Sequence, residues 1–156
     1  MLIAIGMLAG RNRWEKFGAF MISFGVWDII FYVWLKIIID WPATILTWDL
    51  LFLIPVPWLA PVLAPVLIST LLIIAGIMTF HITDKNCKFT PNLTVYLLVF
   101  LGCTIDLITF MIDTPATLHN QPPQPFLYGY FFIGIALIIG ALFAVYNNSL
   151  KHPIKQ

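Results

Sequence analysis

The 156-residue chain is 61% apolar and 10% charged, with a net charge of +1, whereas a soluble domain is about one quarter charged. A soluble protein of this size has no way to hide so much apolar surface, and the near-neutral charge excludes a basic field for nucleic acid. Lipid removes the need to hide that surface, so the bilayer is the first expected partner.

The composition predicts an all-α integral membrane protein, a single membrane domain over residues 1–156. Backbone groups in lipid must be satisfied within the structure, and the apolar runs are continuous rather than alternating, which favours helices over a barrel. The expected architecture is a four-transmembrane-helix bundle with spans at about 17–39, 57–80, 93–112 and 127–146, an outer-side interfacial or re-entrant helix at about 41–54, and an N-terminal apolar half-segment.

In chain order, Met1 to Gly10 is apolar, with no basic region before it and no small-residue cleavage site after it, which makes it a poor signal peptide. Ten helical residues reach about 15 Å, half of a hydrocarbon core. The segment is a half-segment dipping into the bilayer or the end of a fifth span that begins upstream. Gly6 and Gly10 suit close helix packing.

The first span carries Asp28 near its middle, on a face shared with Gly25, Tyr32 and Lys36. Lys36, near the outer end, snorkels outward. The stretch from Asp40 to Val56 is expected to be a short helix on the outer leaflet, capped by Asp40 with Pro42 in its first turn, and with Trp41 and Trp48 on one face. Trp48, Asp49 and Trp58 are the outer-side candidate residues. The second span opens on Pro57, Pro61 and Pro65 at four-residue spacing. Internal prolines remove helical bonds, so its start is expected to be kinked or loosely wound.

The third span places Asp106 in its outer half, in line with Gly102, Thr109 and Asp113. The loop from Thr117 to Pro125 reads as extended. The fourth span carries Ala136, Gly140 and Ala144, a small-residue face for a neighbouring helix in this chain or in another protein.

Orientation follows from the basic residues. Arg11, Arg13, Lys16, Lys85, Lys88, Lys151 and Lys155 all fall on one side of the four-span arrangement, and the loops near 40–56 and 113–126 contain no Lys or Arg. By the positive-inside rule, that side and both chain ends are cytoplasmic.

Acids inside spans are expensive, at about 2.5–3.5 kcal/mol or more at mid-membrane, so each needs a partner, a wet cavity or a proton. Antiparallel helices bring Asp28 and Asp106 to similar depth, with their polar stripes facing each other. The candidate buried polar or ion site is therefore Asp28, Tyr32, Lys36, Asp106 and Thr109. Two readings stand. One is an ion or proton site between the two carboxylates. The other is a structural clasp, with Asp28 bonded to a tyrosine, tryptophan or serine and Asp106 paired with Lys36.

No complete catalytic or cofactor motif is present. His81, His119 and His152 lie at a helix end, in a loop and in the tail, away from any haem position. Cys87 and Cys103 fit no metal or redox spacing and are expected to be free thiols, Cys103 buried within its span. No metal ligand cluster or phosphate-binding glycine loop is visible. The only cofactor-like ligand considered is a bound lipid or quinone.

The frame Trp27-Asp28, Lys36, Trp41-Pro42, Trp48-Asp49 and Pro55-x-Pro57-Trp58-x-x-Pro61 covers about one quarter of the chain. It resembles a family of uncharacterised bacterial multi-pass membrane proteins. The resemblance implies a bacterial plasma membrane and brings no activity or residue roles. The leading expectation is a small subunit or scaffold of a larger membrane complex, partnered by other membrane proteins or by itself. The alternatives are a proton- or ion-coupled transporter or channel subunit using Asp28 and Asp106, and an intramembrane enzyme acting on a lipid or quinone through Asp28 and Asp49.

Overall fold

The structure is a computed structural model, and it describes residues 1–54, 56–85, 87–114 and 125–151. The expected loop at 117–125 lies almost wholly outside the described residues, as do His119, His152 and Lys155. Among the described residues, four helices are long and apolar enough to cross a membrane: α2 (Arg13–Ile39), α3 (Leu63–Asp84), α4 (Leu93–Met111) and α5 (Tyr128–Leu150). They are preceded by α1 (Leu2–Ala9), and β1 (Trp48–Phe52) pairs antiparallel with β2 (Trp58–Pro61) between α2 and α3.

Helix α1 has eight residues, about 12 Å of rise, which is too short to cross. It packs on the start of α2, where the backbone at Gly6 approaches so closely that a Cβ would lie 2.8 Å from the Lys16 carbonyl oxygen. The turn between them is a reciprocal cap. The Asn12 side chain accepts from the Trp14 and Glu15 amides at 2.9 and 3.0 Å, and Glu15 accepts from the Arg11 amide at 2.7 Å. These bonds satisfy amides that a helix start leaves orphaned.

The long helices form two antiparallel hairpins, each closed by small residues two helical turns apart. In the first, Gly18 lies against Gly76 and Gly25 against Ser69. In the second, Gly102 lies against Gly134, Val95 clusters with Ala141, and Phe110 stacks on Phe126 at 6.2 Å. Small residues allow such close approach where lipid offers no hydrophobic drive between helices. The two hairpins meet chiefly through α3 and α5, while α2 and α4 make no extended packing contact. Arg11, Arg13, Lys16, Lys85, Lys88 and Lys151 collect at one end of the bundle, and the β-hairpin sits at the other.

Three expectations need correction. The stretch 41–54 is not a helix: its second half is a β-strand that pairs back on residues 58–61. Asp40 does not start a helix; it ends α2 in the left-handed conformation, φ 55°, which Asp tolerates better than most residues. Prolines at 55, 57 and 61 exclude a helix continuing through the segment and favour extended backbone before each ring. The second span starts at Leu63 rather than Pro57, so its entrance is not a kinked helix. Pro61 belongs to β2 and Pro65 falls in the first turn of α3, where its missing amide costs nothing.

The face of Ala136, Gly140 and Ala144 is mostly uncovered within this chain, which leaves a neighbour in another protein as the cover it was expected to have. Ala136 and Gly140 are exposed, and nothing lies within 4 Å of a Cβ built on Gly140. The packing residues of α5 are Gly134 and Ala141 instead.

Candidate functional site

A cavity of about 520 Å³ lies between the two helical hairpins, under the β-hairpin. It exists because the glycine contacts pull α2 onto α3 and α4 onto α5, leaving α2 and α4 apart. Helix α2 contributes Asp28 and Tyr32, β1 contributes Asp49, α3 contributes Ser69, and α4 contributes Asp106. The rest of the lining is mainly aromatic and aliphatic, and among the described residues no Lys, Arg or His side chain lines it.

The polar groups descend in steps from the β-hairpin into the bundle. The Tyr32 hydroxyl donates to Asp49 Oδ2 at 2.7 Å, and Asp49 Oδ1 accepts from the Leu50 amide at 2.8 Å. One turn further in, Asp28 Oδ2 accepts from the Ser69 hydroxyl at 2.7 Å. Asp28 thus bonds to a serine, as the clasp reading allows, but on the second span rather than the third. The reason is local: Gly25 admits the α3 backbone beside Ser69, one turn from Asp28.

Asp106 differs. Its residue is only 3% exposed, and both carboxylate oxygens are buried with no hydrogen-bond partner among the described residues. The carboxylate lies directly over Gly134, where any Cβ would collide with Oδ1. The expected pairing with Lys36 does not form. Lys36 reaches the other way, to Asp40 at 2.6 Å and to the Pro42 carbonyl at 3.1 Å. That bond, together with the lysine charge, holds the exposed Asp40 carboxyl below the usual carboxylate range.

The structure brings Asp28, Tyr32, Asp49, Trp58 and Asp106 together around one cavity and leaves Lys36, Trp48 and Thr109 outside it. Thr109 spends its hydroxyl on the Asp106 carbonyl of its own helix, at 2.7 Å. Trp48 packs edge-on against Phe126. Asp113 is buried but does not line the cavity. The Trp58 Nε1 is buried without a partner among the described residues. Ser69 and Cys103 are lining residues that sequence reasoning missed. Ser69 was detectable through its seven-residue spacing from Gly76, which matches that of Gly18 and Gly25. Both cysteines are free, but Cys103 is exposed and Cys87 buried, the reverse of the expectation for Cys103.

Among the described residues, no three His, Cys, Asp or Glu side chains converge to hold a metal ion. No family model, curated protein or solved structure matches this chain.

Proposed function

We propose that the chain crosses a bacterial plasma membrane with its basic end and both chain ends in the cytoplasm. There it works as a proton-linked solute-binding protein: a small carrier, or the solute-binding subunit of one. Asp106 carries this reading. A clasp that only holds helices together satisfies its polar groups, because an unpaired buried polar group costs stability. Asp106 is buried, has no partner among the described residues, and belongs to the lining of a cavity that also holds Asp28. A carboxyl in such a place needs a proton or a positive charge that comes and goes. Around the cavity it shares the wall with Asp28 and Tyr32 of α2, Asp49 of β1 and Cys103 of its own helix, and with no basic group among the described residues. Exchange of a proton for a solute is the chemistry this arrangement serves.

The test uses purified protein in weakly buffered detergent with a pH-sensitive dye. A panel of small apolar solutes, cationic, neutral and anionic, is added in turn. At least one class is expected to release protons saturably from the native chain, and Asp106→Asn is expected to suppress the release. No proton release by any solute from folded native protein would contradict the proposal.

A second reading, a structural subunit of a larger complex, is favoured by the exposed Ala136 and Gly140 on α5. Another membrane helix would cover that face, and the two readings are compatible. Lipid remains the surrounding partner in either case.

A further inference from the structure

We infer that the solute is an organic monocation with an apolar, preferably aromatic, body. The inference rests on the solute-binding reading above and names the class of solute. Its warrant is the balance of charge and hydrogen bonding around the cavity. Three carboxylates line it, and two already have donors: Asp28 from Ser69, and Asp49 from Tyr32 and the Leu50 amide. Asp106 has none among the described residues and is buried. Neutral donors leave the charges in place, so a single cationic centre set beside Asp106 would partner the one carboxylate that has no donor and offset charge around the whole cavity.

The walls match the same solute. Phe24, Trp27 and Phe31 of α2, Phe52 and Trp58 of the β-hairpin, and Phe110 of α4 line the same cavity as the acids. Aromatic faces attract cations, most strongly where water is excluded. Their area also accounts for an apolar body, and a cavity of about 520 Å³ lies within the range that takes drug-sized ligands.

Other solutes fit less well. An anion would enter beside three carboxylates, with no basic side chain among the described residues to meet it. A phospholipid headgroup, even one carrying an amine, would bring its phosphate to the same acids. A bare metal ion lacks converging ligands among the described residues. A neutral molecule without a hydrogen-bond donor would leave Asp106 without a partner, and one with a donor would offset none of the charge.

Two probes of matched size and shape but opposite charge separate these cases: tetraphenylphosphonium and tetraphenylborate. Each is equilibrated by dialysis with the purified full chain in detergent, with protein-free micelles as background. The phosphonium is expected to bind saturably and to release protons, while the borate stays at background. Asp106→Asn and Asp28→Asn should each weaken phosphonium binding at least tenfold. Asp84→Asn, at the basic end of α3 and away from the cavity, should leave it unchanged. Trp58→Leu, which removes an aromatic face and no charge, should weaken it several-fold and guards against a variant that merely misfolds. Borate binding as tight as phosphonium binding would overturn the cation assignment while leaving a solute cavity in place. Binding of neither probe would also overturn it. If proton release by neutral solutes persisted in that case, the solute-binding reading would survive; if it too were absent, both would fall.

Discussion

Gly76→Leu is expected to destabilise the protein by about 2–3 kcal/mol or more, the cost of forcing side-chain volume into a site with no room. A Cβ on Gly76 would lie 2.5 Å from the Gly18 carbonyl oxygen and 2.5 Å from Ile22 Cγ1. The first neighbour is backbone and cannot rotate away, so α2 and α3 must separate at their crossing. Separation would also carry Ser69 away from Asp28, and the 2.7 Å bond between them would be lost. The matched control is Gly140→Leu, where a Cβ meets nothing within 4 Å. Thermal unfolding in detergent, followed by circular dichroism, should show a large loss for Gly76→Leu and almost none for Gly140→Leu. Equal losses would mean that the hairpins are not closed at these glycines.

Asp106→Ala should have the opposite effect on stability while destroying function. Alanine removes the carboxyl and adds no atom over Gly134, where Oδ1 now packs. It replaces a buried carboxyl that has no partner among the described residues. Removing an unsatisfied buried polar group recovers about 1–3 kcal/mol. Unfolding temperature should therefore rise, and proton release with solute should vanish. Residues kept at a cost to stability are those that function requires. A fall in stability would show that the carboxylate is bonded within the folded protein and that the structural clasp is the better account.

Much of the helical frame is legible in the sequence. The runs 93–112 and 127–146 match α4 and α5 to within a few residues, because long apolar stretches with polar boundaries leave little choice. The β-hairpin is not legible in the same way. Trp48–Phe52 is a short apolar run, and periodicity cannot tell a strand from a helical turn at that length. Pro55, Pro57 and Pro61 were the usable signal, since each opposes a helix through the segment. The acids Asp28 and Asp106 stand out by cost alone. Their partners do not, because partnership depends on register between helices. Placing Ser69 opposite Asp28 requires recognising that Gly18 and Gly25 match Gly76 and Ser69. The four-residue spacing of Ala136, Gly140 and Ala144 marks a different face of α5 from the one, at Gly134 and Ala141, that packs on α4.

The central claim is that Asp106 is a protonatable carboxyl reached from an apolar cavity. Dicyclohexylcarbodiimide tests it most directly, because this apolar reagent adds to protonated carboxyl groups and leaves a stable acylurea that peptide mass spectrometry locates. The purified chain should be modified at Asp106, with labelling falling as pH rises and slowing when tetraphenylphosphonium is present. Asp40, kept ionised by Lys36 at the exposed end of α2, should remain unlabelled. Modification confined to Asp40, Asp84 or Glu15, with Asp106 untouched at every pH, would contradict the account.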